Sequence, residues 1–350
     1  MKKIISVMLI FLCIALINIR PKAVSAASYT VIEKTSGRIL YESNGDKRMP
    51  MASTTKVMTA ILVIENLPLD KLYESPDEAV GIEGSSIYLK KGEKLTGEEL
   101  LYGLMLASGN DAAYALAILT SGNTESFIAL MNKKAKELNL KNTHFEDPCG
   151  LKSENHYTTS NDLARLSAYA MKNELFQKVV ATKTYKIGEG ENTRYLYNKN
   201  RILGELEGGD GIKTGYTQKA GRCLCSSATR NGAQVICVVL NDYNWFNDSK
   251  TLINKAFKEY SFVQISKKDE IVSSANIFCE NLEKCDIITK EDIFYPLKKG
   301  EMLRARYEIL FEKNGSVLKG ESAGRIDFYL NGKNVISAPC VFNEDIGGKQ

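Results

Sequence analysis

Hydrophobic and polar positions divide the chain into an early pair of strands, a helical middle and a late group of strands. Alternation of the two kinds of residue predicts strands over residues 29–33, 38–42, 183–187, 211–216, 222–230 and 233–241. Apolar residues at every third or fourth position predict helices over residues 53–65, 97–107, 111–119, 124–138, 160–172 and 246–260. We therefore predict an α+β fold, in which a helical block is inserted between early and late strands of one mostly antiparallel sheet.

The last two of these strands are joined by Asn231-Gly232, a strong signal for a two-residue hairpin turn. In that register Cys237 lies opposite Ser226, whereas Cys223 and Cys225 point to the other face of the sheet. No two of these three cysteines can then form a disulfide, and we interpret all three as small buried side chains.

The final part of the chain consists of short β-rich segments between turns, such as residues 305–310 and 325–330. Asn331-Gly332 is a second hairpin signal. We predict a small all-β domain over residues 262–350, which follows a larger domain over residues 27–261.

The N-terminus has the pattern of a secretory signal peptide. Lys2-Lys3 precedes the apolar run Ile4–Ile17, which is short for a membrane span, and small residues follow at Val24-Ser25-Ala26. We predict a signal peptide over residues 1–26, with cleavage after Ala26 or, failing that, after Ala27; an uncleaved anchor is the alternative. The working location is then extracytoplasmic, in the cell wall or at the outer face of the cytoplasmic membrane.

Charge and cysteine content narrow the function further. The net charge is +4, from 46 basic and 42 acidic residues, and residues 1–26 hold four basic residues and no acid. The rest of the chain is neutral, so nucleic acid is not a predicted partner.

Seven cysteines remain after removal of the predicted signal peptide, which contains Cys13. Cys279 and Cys285 could bridge a loop or stay free thiols. With His144 and His156 as its only histidines, the chain shows no spacing typical of a zinc site, and we predict no metal or cofactor.

Three short motifs carry candidate chemistry. In Ser53-Thr54-Thr55-Lys56, positions i and i+3 share one helix face, so a lysine amine can take the proton of a serine hydroxyl. The same spacing at Ser316 and Lys319, in the β domain, is interpreted as coincidence. Ser108-Gly109-Asn110 lies at the break between two helices, and the following Asp111 is predicted to cap the second helix. Lys213-Thr214-Gly215 lies in a strand, where a lysine can bind a carboxylate and a glycine admits a ligand backbone. Each motif alone has an ordinary structural explanation, namely a helix face, a turn or an edge strand.

The three motifs together, in this order, match the set found in class A β-lactamases and penicillin-binding proteins. The segments around them resemble low-molecular-weight penicillin-binding proteins, the serine-type D-alanyl-D-alanine carboxypeptidases. The residues that carry the resemblance are Met49–Ala60, Ser108–Ala113, His156–Asp162 and Asp210–Thr217. The resemblance implies a penicillin-binding, β-lactamase-like transpeptidase domain, and more faintly the family's C-terminal β domain.

The family likeness also implies a role for each motif residue. Ser53 would attack the bond between the two terminal D-alanines of a peptidoglycan stem pentapeptide, with Lys56 as base. Ser108 would relay the proton and Asn110 would hold the substrate or Lys56. Lys213, Thr214 and Gly215 would bind the substrate, with Lys213 on its terminal carboxylate. The backbone N–H groups of Ser53 and Tyr216 would form the oxyanion hole, and β-lactam antibiotics would be covalent inhibitors.

Other functions stay open at this level. A β-lactamase would need a deacylating glutamate, and neither Glu146 nor Glu154 has the expected context. A non-catalytic penicillin-binding sensor would need a linkage across the membrane, and endopeptidase activity would use the same chemistry. Because Lys56 supplies a base, we interpret His144 and His156 as structural. The last apolar segment, Val335–Phe342, is predicted to be a strand without a basic face. No membrane anchor is therefore predicted, and peripheral contact with the membrane surface is left open.

Overall fold

The computed structural model of the chain describes residues 24–151, 154–279 and 281–347. Its α-helices are α1 Lys56–Asn66, α2 Gly97–Met105, α3 Asn110–Ser121, α4 Thr124–Glu137, α5 Ser160–Ala170, α6 Glu174–Ala181, α7 Ile202–Glu205 and α8 Trp245–Glu259. The strands are β1 Ser28–Glu33, β2 Ile39–Ser43, β3 Leu72–Glu74, β4 Lys94–Thr96, β5 Thr184–Ile187, β6 Arg194–Tyr197, β7 Gly209–Thr217, β8 Gly221–Arg230, β9 Ala233–Leu240, β10 Ser261–Ser266, β11 Ile271–Phe278, β12 Leu282–Thr289, β13 Ile293–Leu297, β14 Leu303–Ile309, β15 Glu312–Asn314, β16 Ser322–Leu330 and β17 Lys333–Phe342.

A five-stranded antiparallel sheet forms the frame of the larger part, in the order β2-β1-β9-β8-β7. The first two strands come from the start of the chain and the other three from beyond residue 208, so the helices from α1 to α7 lie between them in sequence. The predicted insertion of a helical block into one sheet is confirmed. Strand β7 lies at an edge of this sheet, which leaves one side of its backbone open.

The sheet separates two layers of apolar packing. One core cluster combines helices α1 to α6 with sheet residues that include Cys223 and Cys225. The other combines α8 with the opposite face, which includes Leu224 and Cys237. Ser226 pairs with Cys237 in the observed register, as the hairpin at Asn231-Gly232 predicts. A sheet covered by helices on both faces buries its strands fully, and β9 is buried along its whole length.

Residues beyond α8 form only strands in the described part of the chain. Six of them make one sheet, in the order β14-β16-β17-β12-β11-β15, and β10 pairs with β13. The predicted turn at Asn331-Gly332 joins β16 to β17, with φ angles of 52° and 79° that suit a tight hairpin. The β character of this region is confirmed, whereas the exact domain limits remain a prediction. Cys279 and Cys285 are both free thiols.

The hydrophobic pattern does not predict several short elements. Helix α6, strands β3, β4 and β6, and the single turn of α7 span three to eight residues each, too few to show a clear period. The predicted signal peptide lies almost wholly outside the described residues, which begin at residue 24. Within the described residues, no helix has the length and apolar character needed to cross a membrane.

Candidate active site

Ser53 lies in a short 3₁₀ turn, Ala52–Thr55, that continues directly into α1. Ala52 has a φ of 48°, an uncommon backbone conformation for a residue other than glycine. The turn brings the side chains of Ser53 and Lys56 together, with Nζ of Lys56 2.9 Å from Oγ of Ser53. The predicted pairing at positions i and i+3 is therefore present, although Ser53 is in a tighter turn than the predicted α-helix.

The amine of Lys56 is completely buried and is surrounded by oxygen atoms. It donates to Oδ1 of Asn110 at 2.7 Å and to the carbonyl of Cys149 at 3.3 Å, and Oγ of Ser108 lies 3.5 Å away. An unpartnered buried amine would be costly, and these contacts satisfy it. Lys56 therefore connects the first two motifs through its own side chain.

Ser108 and Asn110 lie where α2 ends and α3 begins. Ser108 has a φ of 62°, and Gly109, not Asp111, is the N-cap of α3. The prediction of Asp111 as the cap is wrong, because its carboxylate instead accepts the backbone N–H groups of Ile87 and Leu89. The amide of Asn110 donates to the carbonyl of Glu83 at 2.6 Å. These bonds fasten the loop that precedes β4 against the start of α3.

Edge strand β7 closes the other side of the site. Nζ of Lys213 is buried and donates to Oγ of Ser108 at 3.0 Å and to the carbonyl of Thr214 at 2.8 Å. A Cβ atom on Gly215 would lie 2.9 Å from the backbone nitrogen of Ser53 and 3.0 Å from that of Thr54. Only glycine therefore lets the strand pass this close to the Ser53 turn. The side chain of the next residue, Tyr216, is exposed.

Burial sets the electrostatics of both lysines. Burial, with a smaller contribution from the charge of Lys199, lowers the pKa of Lys56 to about 8 against the opposing effect of Asp147. Burial also lowers the pKa of Lys213 well below its usual value, and the neighbouring Lys56 adds to this effect. Both side chains are thus closer to the neutral form than a lysine in water.

A cleft of about 340 Å³ opens beside these groups. Its walls are formed by Ser53, Ser85, Ser108, Lys199, Thr214, Gly215, Tyr216 and Trp245. Three of these residues, Ser85, Lys199 and Trp245, are not predicted from the sequence. Lys199 donates to Oγ of Ser85 at 3.2 Å, and partial burial lowers its pKa. Lys199 follows the short strand β6, and a single lysine after a short strand is too weak a signal to predict a site residue.

Comparison with known proteins identifies the family. A sequence profile described as D-alanyl-D-alanine carboxypeptidase, of peptidase family S11, matches residues 17–244. The chain belongs to the D-alanyl-D-alanine carboxypeptidase family. A second profile, for the C-terminal domain of penicillin-binding protein 5, matches residues 260–347. The family resemblance stated from the motifs is confirmed.

Named relatives of the carboxypeptidase family agree with this assignment. The chain is 34% identical to D-alanyl-D-alanine carboxypeptidase DacF of Bacillus subtilis, over 92% of this chain and 86% of the relative. Its structure is similar to penicillin-binding protein 5 of Haemophilus influenzae, with a TM-score of 0.72, 27% identity and coverage of 95% of this chain and 100% of that one. It is also similar to the Streptomyces K15 DD-transpeptidase, with a TM-score of 0.64, 35% identity and coverage of 67% and 98%. The predicted fold class is confirmed, and neither a β-lactamase nor a non-catalytic sensor is favoured.

The other candidates of the sequence lie away from this carboxypeptidase site or have structural contacts. Ser316 and Lys319 are exposed and lie outside any helix, so they do not form a second Ser-Lys pair. The ring of His156 is buried and hydrogen-bonded through both nitrogens, and Nδ1 of His144 bonds the carbonyl of Asn155. Among the described residues, no group of histidine, cysteine or acidic side chains is arranged to hold a metal ion.

Proposed function

We propose that the protein removes the terminal D-alanine from peptidoglycan stem pentapeptides through an acyl-enzyme on Ser53. The observation that carries this proposal is the 2.9 Å contact between the hydroxyl of Ser53 and the fully buried amine of Lys56. A serine hydroxyl is a weak nucleophile until a base accepts its proton, and a lysine with a lowered pKa is such a base. The D-alanyl-D-alanine end of the substrate is taken from the names of the relatives.

The acylation step can be written with these groups. Neutral Lys56 accepts the proton of Ser53 while Oγ forms a bond to the carbonyl carbon between the two terminal D-alanines. When the tetrahedral intermediate collapses, the carbon–nitrogen bond breaks and the leaving amine takes a proton. Ser108 lies within 3.5 Å of both lysine amines, which supports a relay of that proton from Lys56 through its hydroxyl.

Substrate binding and charge stabilisation involve strand β7. Lys213, assisted by Thr214, would hold the free terminal carboxylate, and Asn110 would fix Lys56 or the substrate backbone. The backbone N–H groups of Ser53 and Tyr216 would donate to the oxyanion. The close approach of Gly215 to the nitrogen of Ser53 supports this, because it brings the two proposed donors to one end of the cleft.

Water would then hydrolyse the acyl-enzyme and release the shortened stem peptide. A β-lactam ring would acylate Ser53 in the same way, which is the basis for its action as a covalent inhibitor. We also propose an extracytoplasmic location after removal of residues 1–26, and a role in cell-wall biogenesis and cell shape. No cofactor is needed for any of these steps.

Intact-mass analysis with a β-lactam tests the proposal, with D-alanine release from a pentapeptide as the activity assay. We expect one covalent adduct, on the peptide that contains Ser53, and its loss in Ser53→Ala. Ser316→Ala is the matched control, because it alters the other Ser-x-x-Lys sequence and should leave the adduct and the D-alanine release unchanged. An adduct that persists in Ser53→Ala would refute the proposed nucleophile.

A further inference from the structure

A chain of buried hydrogen bonds ends on the residue that precedes Ser53. The backbone N–H of Glu146 donates to Nδ1 of His156 at 3.0 Å, and Nε2 of His156 lies 2.8 Å from Oγ1 of Thr55. The hydroxyl of Thr55 donates in turn to the carbonyl of Ala52 at 2.8 Å. His156, Thr55 and Ala52 are at most 2% exposed.

The direction of each bond fixes the state of the histidine ring. Because Nδ1 accepts a hydrogen bond, the proton of a neutral ring must be on Nε2, which then donates to Thr55. The hydroxyl proton of Thr55 is left for the carbonyl of Ala52. The chain of bonds therefore requires a neutral His156 in one tautomer.

Ala52 needs such support because of its backbone conformation. Its φ of 48° is uncommon for a residue with a side chain, and a residue in that region persists only where its surroundings hold it. Gly150 lies against the same carbonyl, since a Cβ atom there would be 1.9 Å from the oxygen of Ala52. The conformation of Ala52 sets the direction in which the chain enters the Ser53 turn.

We propose that Thr55 and His156 are positioning residues of the reaction, which hold the carbonyl of Ala52 and thereby aim the hydroxyl of Ser53 at Lys56. The inference rests on the proposed function of Ser53. It gives a role to a histidine that the proton transfer itself does not use. Thr55 is well placed for this role, because it lies inside the Ser-x-x-Lys sequence and its buried hydroxyl contacts His156.

Acid should break this arrangement. A doubly protonated ring donates from both nitrogens and can no longer accept the N–H of Glu146. Burial lowers the pKa of His156, the carboxylates of Asp147 and Glu146 oppose that effect, and His144 adds to it; the edge of the neutral Phe145 ring completes the surroundings. The sign follows from the lowered pKa: the chain of bonds is intact at neutral pH and is lost as the pH falls below the usual histidine range.

Matched threonine variants test the proposal through the rate of β-lactam acylation. Thr55→Val removes the hydroxyl and keeps the shape, and Thr55→Ser restores the hydroxyl. Thr59→Val is the control, because Thr59 is equally buried and donates to the carbonyl of Pro148 at 2.6 Å, away from Ala52. We expect Thr55→Val to acylate roughly 10- to 100-fold more slowly without weaker reversible binding, since small misplacements of a nucleophile have effects of that order. Thr55→Ser and Thr59→Val should acylate at close to the wild-type rate.

The pH profile separates positioning from simple stability. Below the pKa of His156 the wild-type acylation rate should fall with the second power of the proton concentration, because Lys56 and His156 are both protonated there. In His156→Asn the rate should fall with only the first power. A wild-type rate in Thr55→Val, an equal loss in Thr59→Val, or no recovery in Thr55→Ser would each overturn the proposal. If wild-type protein forms no adduct on Ser53, the proposed function itself fails; an adduct on Ser53 that forms equally fast in Thr55→Val refutes the positioning role alone.

Discussion

The pH dependence of acylation is the most direct test of Lys56 as the base. An ordinary lysine has a pKa of 10.5, whereas burial lowers the pKa of Lys56 to about 8. At pH 7 the neutral fraction is then about 9%, compared with about 0.03% for the unperturbed group. Burial thus raises the amount of competent base by a factor of about 300, close to 3.4 kcal/mol at about 1.36 kcal/mol for each pKa unit.

The sign of the effect follows from the need for a neutral amine. As the pH rises toward 8, Lys56 loses its proton and the acylation rate should increase about tenfold per pH unit, then level off above 8. Stopped-flow measurement of acylation by a chromogenic β-lactam between pH 6.5 and 10 would show this rise and the plateau above it. Lys56→Arg keeps the charge and cannot release its proton, so it should lose acylation as completely as Lys56→Ala, by at least about 100-fold.

Two results would refute this reasoning. One is a rise of the acylation rate with pH whose midpoint stays near the ordinary lysine pKa, which would mean that burial does not lower the pKa of Lys56. The other is near-wild-type acylation by a folded Lys56→Arg variant, which would reduce Lys56 to an electrostatic support. Circular dichroism and thermal melting of each variant would establish that the fold is intact.

Two further predictions concern strand β7. Gly215→Ala should slow acylation roughly 5- to 150-fold, because the added Cβ would lie 2.9 Å from the nitrogen of Ser53 and overpacking of this kind has an energy of about 1–3 kcal/mol. Gly204→Ala, which meets no atom within 4 Å, is the control, and an equal effect of the two on acylation kinetics would contradict the close-approach argument. Lys213→Ala should lower kcat/KM for a peptide with a free terminal carboxylate by about 10- to 100-fold, the range of a hydrogen bond to a charged group. The loss should be much smaller for the C-terminal amide, and equal losses would mean that Lys213 only shapes the strand.

Periodicity predicts the long elements well because each has one face in a core. The frame strands and the six long helices recur within a few residues of their predicted bounds, since their apolar residues repeat over two or more turns or pleats. Helix α6 and the strand pairs β3–β4 and β5–β6 are too short for such a signal, and only β5 was predicted. Asp111 illustrates a different limit: its position beside a helix start predicts a cap, but a distant loop offers its carboxylate better-placed donors.

The sequence predicts the motif residues of the site because their spacing is local. Positions such as Ser53 and Lys56 are neighbours on one turn, so three residues of sequence settle their contact. The contacts of Lys56 with the carbonyl of Cys149 and of His156 with Thr55 join residues about 90 to 100 positions apart. The side chains of Lys199 and Trp245 reach the cleft only after the sheet and the helical block have assembled. No local pattern carries that information.

The two lysines explain how the site would respond to a free terminal carboxylate. Both amines lie within 3.5 Å of Oγ of Ser108, and like charges this close disfavour each other's protonation. Lys56 thereby adds to the burial that lowers the pKa of Lys213, which weakens Lys213 as a cation in the empty site. An arriving carboxylate would raise the pKa of Lys213 and restore its charge, and the negative charge of the carboxylate would balance that positive charge. A substrate with a free terminal carboxylate would therefore strengthen its own binding group without adding net charge beside Lys56, whereas an amide would leave Lys213 a weak cation.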